Sequence, residues 1–89
     1  MALNYTILTL SAARRQLRQL QNAKKPETKN IIDVIKSLAQ NPRPRGCRKL
    51  ASRPEWRTRI GSYRVLYLID DLRRTVTVVV VAHRRDVYR

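Results

Sequence analysis

The chain has 89 residues, 43% of them hydrophobic, which is enough for one small globular domain, residues 1–89, and too few for a second core. Its 20 Lys and Arg against 6 Asp and Glu give a net charge of +14, and fifteen of the cations are arginine, which suits phosphate recognition. A polyanionic partner is therefore expected. One Cys and one His cannot form a disulfide framework or a zinc site of four protein ligands, so no structural metal and no cofactor are expected.

The N-terminal half predicts a strand followed by two helices. Residues 3–8 alternate like a strand and lack the features of a signal peptide, and no apolar run is long enough for a membrane helix, so a cytoplasmic protein is expected. Ser11 is a candidate N-cap for an amphipathic helix over residues 12–22. Pro26 suits the start of a second helix, which ends before Asn41. The two helices are expected to form a hairpin.

The C-terminal half predicts strands. Residues 41–50 form a basic loop that ends in a short strand, and residues 56–69 contain two strand-like runs joined by Gly61-Ser62, a plausible two-residue hairpin turn. After a turn at residues 70–74, four consecutive valines in residues 75–82 favour a strand buried on both faces. This order predicts an α+β fold, in which a helical hairpin packs on one face of a twisted sheet of three or four antiparallel strands. A short C-terminal tail completes it.

The turn at Gly61-Ser62 fixes the register of the central hairpin. In that register Arg59 lies opposite Arg64, and Arg57 shares their face because strand side chains alternate. Directly opposed like charges destabilise a sheet, so a bound phosphate would account for the cluster. The competing interpretation is that these arginines only solubilise an exposed sheet face. The same register predicts core pairs, namely Ile60 with Tyr63, Thr58 with Val65 and Trp56 with Tyr67.

The segment WRTRIGSYRVLYLIDD, followed by VTVVVVAHRRDVYR, resembles the RelE/ParE superfamily of toxins from toxin-antitoxin pairs, and the RelE branch most. The loop LAQNPRPRGCRKL is similar to the family's Leu, Asn-Pro, Arg and Lys-Leu pattern, so the resemblance covers nearly the whole chain. It implies a RelE-like endoribonuclease that enters the ribosomal A site, cleaves mRNA there and inhibits translation. It also implies a cognate antitoxin that silences the toxin, with the ribosome and mRNA as further partners.

The resemblance carries over to individual residues. Arg64 matches the family's catalytic arginine, Arg84 a second one, and Tyr88 the C-terminal tyrosine. Arg57 and Arg59 fall where the best-known RelE branch carries two lysines. That departure matters because arginine stabilises negative charge but cannot act as a base near neutral pH.

Metal-independent attack by a 2′-OH needs a base, cations for the phosphorane and a proton donor for the leaving oxygen. Arg64 and Arg84 would clamp the scissile phosphate, while Arg57 and Arg59 would hold flanking phosphates or share that role. His83 is the candidate base or acid, since histidine exchanges protons near neutral pH. The other interpretation of His83 is a strand-end histidine that satisfies a backbone group.

Three further features leave choices open. Tyr88 would stack on the attacked base or take part in proton transfer, or it would only fix the C-terminus. Arg45, Arg48 and Lys49 belong to a second basic stretch, with Arg43 and Arg53, that is expected to contact RNA backbone unless it is an ordinary solvated loop. The function itself has two alternatives, a ParE-like gyrase inhibitor and a noncatalytic ribosome- or RNA-binding module.

Overall fold

Two helices and five strands make up the part of the chain that the structure, a computed structural model, describes: residues 4–87. The elements are β1 (Thr6–Thr9), α1 (Ser11–Asn22), α2 (Glu27–Ser37), β2 (Arg48–Lys49), β3 (Trp56–Ile60), β4 (Tyr63–Asp70) and β5 (Thr75–His83). The strands form one sheet in the order β1-β5-β4-β3-β2. All neighbours are antiparallel except β1, which lies parallel to β5. The predicted α+β fold is confirmed.

Both predicted helices are present, but α1 begins one residue earlier than expected. Leu10, and not Ser11, occupies the N-cap position, and no side chain caps the helix. The predicted capping role of Ser11 is therefore wrong. The physical reason is that the N–H of Leu10 donates to the carbonyl of Val78 at 3.0 Å, which keeps Leu10 extended beside β5 until the helix begins.

No helix within residues 4–87 is long and apolar enough to cross a membrane.

The hydrophobic core lies between the helices and one face of the sheet, hereafter the helix face. Apolar side chains of α1 and α2 pack there against the inward residues of β3, β4 and β5, and their removal from water stabilises the fold. The buried members of this core are Ala13, Ile31, Ile35, Leu38, Val65, Tyr67, Val76, Val78 and Val81.

The β3–β4 hairpin has the predicted register. Ile60 pairs with Tyr63 and Arg59 pairs with Arg64, so Gly61 and Ser62 form the two-residue turn. Gly61 has a φ of 58°, in the left-handed region that such a turn requires and that glycine adopts without strain. The local turn chemistry therefore sets which side chains of β3 and β4 share a face.

The valine run of β5 contains a β-bulge. Leu66 pairs with Val80 and the next residue of β4 pairs with Val78, so Val79 has no partner in β4. Val78 and Val81 both reach the core, whereas Val79 and Val80 are only half-buried. The expectation of burial on both faces is thus met only in part. The extra residue of the bulge, Val79, interrupts the alternation of side chains between the two faces of β5.

Candidate nucleic-acid interface

The sheet face away from the helices carries a row of arginines. Directly paired residues of antiparallel strands lie on the same face, so Arg48, Arg57, Arg59 and Arg64 lie together there. We call this surface, defined by these four residues, the arginine face. Leu66 is fully buried on the same side and gives the arginines an apolar neighbour. Such a surface has the charge and the planar donors that phosphate groups bind.

A pocket of about 340 Å³ opens where β2 meets β3. Its lining is strongly basic and, within the described chain, includes no carboxylate: Arg45, Gly46, Arg48, Arg57, Thr58 and Arg59. The Nε atom of Arg57 is buried and has no hydrogen-bond partner among the described residues. A buried donor is stabilised by an acceptor, so this guanidinium is suited to an incoming oxyanion. We call the pocket lined by these residues the arginine pocket.

Arg45 and Gly46 of the arginine pocket lie in the loop between α2 and β2, and hydrogen bonds connect this loop to the core. The hydroxyl of Tyr67 donates to the carbonyl of Pro42 at 2.9 Å, and it lies 3.1 Å from the hydroxyl of Thr58. Burial raises the pKa of Tyr67 to about 12, and the nearby Cys47 thiol acts in the same direction. The phenol therefore stays protonated and donates to the loop that leads to Arg45.

A polar cluster fixes the same loop from outside. Arg43 makes two hydrogen bonds to the carboxylate of Asp71, at 3.1 and 2.8 Å, and its guanidinium lies 4.9 Å from the ring centre of Trp56. Tyr5 donates to the same carboxylate at 2.5 Å. The hydrogen bonds from Arg43 and then from Tyr5 lower the pKa of Asp71 to about 2. We call Tyr5, Arg43, Trp56 and Asp71 the loop clasp.

Two cations of the predicted basic stretch lie elsewhere. Lys49 pairs with Trp56 and so belongs to the helix face, and its Nζ donates to the carbonyl of Arg53 at 2.6 Å. Arg53 forms an ion pair with Glu55 at 3.0 Å. The structure therefore brings Arg45 and Arg48 into the arginine pocket, but it does not bring Lys49 there.

The guanidinium of Arg64 and the backbone of Arg84, the two arginines matched to catalytic positions, both form hydrogen bonds at the β3–β4 turn. The guanidinium of Arg64 donates to the carbonyls of Gly61 at 3.2 Å and Tyr63 at 3.0 Å. The backbone N–H of Arg84 donates to the carbonyl of Ser62 at 2.7 Å. The turn thus joins one end of the arginine face to the start of the C-terminal segment.

His83 lies on the helix face, away from Arg64. It pairs with Tyr63, and the two rings contact edge to face with centroids 5.5 Å apart. Its Nδ1 accepts a hydrogen bond from the backbone N–H of Arg85 at 3.2 Å. The other predicted proton-transfer residue, Tyr88, lies outside the described residues. Sequence reasoning therefore placed His83 with the arginines, whereas the structure puts the sheet between them.

The loop clasp was missed by sequence reasoning. The available signal was that Asp71 is one of only six acids in a chain with fifteen arginines, so an arginine partner was to be expected. The sequence did not indicate which arginine. As for metals, residues 4–87 contain no group of three His, Cys, Asp or Glu side chains arranged to hold an ion.

The family model described as "ParE toxin of type II toxin-antitoxin system, parDE" matches residues 7–88. No curated protein matches the chain. Among solved structures, the toxin-antitoxin complex RelBE2 from Mycobacterium tuberculosis is similar at 30% identity and a TM-score of 0.74, covering 91% of this chain and 99% of that one. The archaeal RelE-RelB complex from Pyrococcus horikoshii OT3 is similar at 20% identity and a TM-score of 0.78, covering 93% and 98%.

A third similar structure is a mutant of the E. coli toxin RelE in the free state, at 20% identity and a TM-score of 0.68, covering 90% of this chain and 83% of that one. At this identity the likeness concerns the fold, and it agrees with the helix layer and the five-stranded sheet described above. The family model spans nearly the whole chain, including all five strands except the first residue of β1. The chain belongs to the RelE/ParE superfamily and is a toxin of a type II toxin-antitoxin system.

Proposed function

We propose that this toxin is an endoribonuclease that cleaves mRNA in the ribosomal A site and so inhibits translation. The observation that carries the proposal is the meeting of Arg64 and the backbone of Arg84 at one hairpin turn, beside the arginine face. Cleavage of RNA without a metal needs several fixed positive charges around one phosphate. Like charges that face each other across paired strands destabilise the sheet, and a phosphate-binding site would explain why the chain has them.

In the proposed reaction the 2′-OH gives up its proton and attacks the adjacent phosphorus, the bond to the 5′-oxygen breaks as that oxygen takes up a proton, and the products carry a 2′,3′-cyclic phosphate and a 5′-hydroxyl. Arg64 and Arg84 stabilise the charge that builds on the phosphoryl oxygens, and Arg57 and Arg59 share it or hold a flanking phosphate. An arginine keeps its proton near neutral pH, so these residues donate hydrogen bonds and do not transfer protons. Tyr88 is the residue proposed to stack on the attacked base or to take part in proton transfer.

The arginine pocket extends the proposed RNA path. Arg45 and Arg48 would hold backbone phosphates of mRNA or ribosomal RNA, and the unpartnered Nε of Arg57 would donate to one of their oxygens. Lys49 joins this path only if it releases the carbonyl of Arg53. Substrates of this kind place the toxin in the cytoplasm, where ribosomes and mRNA are.

The proposed antitoxin covers the arginine face and the apolar surface next to it. The similar M. tuberculosis and P. horikoshii structures are toxin-antitoxin complexes. On this chain Leu8 and Leu68 both pair with Thr77 in one row on the side of the arginine face, and they are 50% and 36% exposed. A partner segment with acidic and apolar side chains would fit both parts, because it would neutralise the arginines and bury the leucines.

The proposal is tested by mapping cleavage on programmed ribosomes. Antitoxin-free toxin is incubated with ribosomes and mRNA, with EDTA-treated free RNA alongside, and the new 5′ ends are mapped. We expect cuts within the A-site codon that the Arg64→Ala, Arg84→Ala variant does not make. The matched control is Arg15→Ala, Arg18→Ala, which removes the same charge from exposed positions of α1 and is expected to cut normally.

The matching family model is described as a ParE toxin, which keeps one other candidate open, the ParE-like inhibition of DNA gyrase that the resemblance also implies. A gyrase inhibitor has no chemical need for two arginines at one turn beside a basic pocket. A folded toxin that binds ribosomes without cutting would instead indicate a noncatalytic module. A toxin that neither binds nor cuts, but blocks supercoiling by purified gyrase, would replace the proposal with the gyrase function.

A further inference from the structure

We propose that His83 is a positioning residue, which shapes the turn that carries Arg84, and that it is not the base of the reaction. This role rests on the proposed nuclease function only in its consequence for cleavage. The structural role concerns the turn formed by residues 83–87 and the groups that contact it. Three consecutive backbone N–H groups of this turn form hydrogen bonds.

Each of these N–H groups has a different acceptor. The N–H of Arg84 donates to the carbonyl of Ser62 at 2.7 Å, and that of Asp86 donates to the carbonyl of His83 at 2.8 Å. Between them, the N–H of Arg85 donates to Nδ1 of His83 at 3.2 Å. The imidazole therefore supplies the acceptor for the middle residue of the turn, as an Asn side chain does in many turns.

The imidazole is held in the orientation that this role needs. Its ring contacts the ring of Tyr63 edge to face, with an angle of 82° between the planes. His83 also lines a pocket to which α1 contributes Gln16, Gln19 and Leu20. His83 is half-buried in this setting, and its direct strand partner is Tyr63, so the ring and the backbone are fixed by the same neighbour.

The position of the proton on the imidazole ring argues against His83 as the base. An Nδ1 that accepts a hydrogen bond carries no proton, so the neutral imidazole carries its single proton on Nε2. The remaining nitrogen can then donate a proton but cannot accept one. Accepting a proton at Nδ1 would break the bond from Arg85. In addition, His83 lies on the helix face, while Arg64 lies on the other side of the sheet.

The turn has a direct connection to the proposed site. Arg84 is its first residue and is anchored at Ser62, beside the carbonyls that hold the guanidinium of Arg64. Val87, at its other end, is 4% exposed. Loss of the imidazole acceptor leaves Arg85 without its partner and frees the backbone between these two anchors. The guanidinium of Arg84 then no longer holds one position at the phosphate.

The first test reads the ring directly. The chain has one histidine, so a long-range ¹H–¹⁵N spectrum of the labelled toxin, recorded at a pH where the ring is seen to be neutral, reports the tautomer of His83 without ambiguity. We expect an unprotonated Nδ1 and a protonated Nε2. The reverse tautomer, with the proton on Nδ1, would overturn the proposal because Nδ1 could not accept from Arg85.

The second test replaces each ring nitrogen separately. His83→Asn places an amide oxygen near the position of Nδ1, His83→Gln places one near Nε2, and His83→Ala removes both. In cleavage on programmed ribosomes we expect the Asn variant to keep kcat within about 5-fold, and the Gln and Ala variants to lose about 10- to 100-fold in kcat with little change in KM, since small misplacements near the chemistry have effects of this size. An Asn variant as slow as Ala would overturn the proposal.

Hydrogen exchange separates this proposal from the nuclease function. The Arg85 amide is expected to be protected in the wild type and in His83→Asn, and unprotected in His83→Ala and His83→Gln, with thermal melting as the check that each variant folds. If the wild type cuts no RNA, the nuclease function fails, while the protection pattern still decides the role of His83. Equal protection in all four proteins would show that the imidazole does not hold the turn.

Discussion

Two arginines of the same loop, only two residues apart, differ in what surrounds them. Arg43 is held by both oxygens of Asp71 and by the ring of Trp56, whereas Arg45 lines a pocket whose described wall contains no carboxylate. The first neutralises a charge within the fold, and the second adds to a positive field at the surface. In a chain of this charge we therefore expect the nearest carboxylate, and not the arginine itself, to separate a structural role from a binding role.

The largest expected effect comes from Arg64 and Arg84, which the proposed function assigns to the scissile phosphate. Each change to Ala is expected to lower the single-turnover rate on ribosomes by about 10² to 10³, the usual effect of removing one donor to transition-state charge. The melting temperature is expected to change little. If either variant changed only KM, its arginine would contribute to binding and not to the chemical step.

Tyr67→Phe tests the structural side from within the core. The change removes the donor to the Pro42 carbonyl, and leaving a buried acceptor unpaired costs about 1–3 kcal/mol, which urea unfolding measures. Burial raises the pKa of Tyr67 to about 12, so its stabilising effect is present below pH 10 and is lost as pH rises through about 12. The variant should therefore show a flatter loss of stability over that interval. An unchanged alkaline profile would contradict this account.

Arg43→Ala and Arg45→Ala sharpen the comparison most directly, because the two variants have the same charge. Arg45→Ala is expected to weaken RNA binding and to reduce the slope of log affinity against log salt by about 1, as the loss of one phosphate contact does. Arg43→Ala is expected to leave that slope nearly unchanged and to lower the melting temperature. The measurement is RNA binding at several salt concentrations, alongside thermal melting. Equal salt slopes for the two variants would remove the distinction.

The smallest effect is expected at acidic pH. The pKa of Asp71 is lowered to about 2, so its contribution to stability is present above the ordinary carboxyl pKa near 4 and is lost as pH falls through about 2. Asp71→Asn should therefore reduce the acid dependence of the melting temperature between about pH 4 and pH 2, and Asp33→Asn, on the exposed part of α2, serves as the control. A larger change in the control would argue against the loop clasp as a source of acid sensitivity.

The features that sequence reasoning predicted correctly are governed by local chemistry. The register of the β3–β4 hairpin follows from Gly61-Ser62, and the two helices follow from apolar residues at helical spacing. The parallel pairing of β1 with β5 was not predicted, because it joins segments almost seventy residues apart and neither segment carries a signal for the other. The loop clasp was not predicted for the same reason, because its residues are far apart in the sequence.

The position of His83 shows how the single extra residue of the β-bulge in β5 affects the site. Simple alternation from Val76 and Val78 would place His83 on the arginine face and Arg84 on the helix face. The extra residue at Val79 inverts that order, so Val81 and His83 lie on the helix face. Four identical valines contain no alternation that could reveal the bulge. The position of His83 next to Arg84 in sequence therefore did not reveal that His83 lies on the sheet face opposite Arg64.

The place of β5 within the sheet also has a consequence for the order of events during synthesis. β5 is the last described strand to leave the ribosome, yet it lies between β1 and β4 and joins them. The helices and the β3–β4 hairpin have mostly local contacts and can form early, whereas β1 must wait for a partner from the far end of the chain. A nascent toxin whose β5 has not yet left the ribosome therefore lacks the segment that brings Arg84 to the hairpin turn, and the arrangement of Arg64 and Arg84 to which we assign the proposed cleavage is not yet formed.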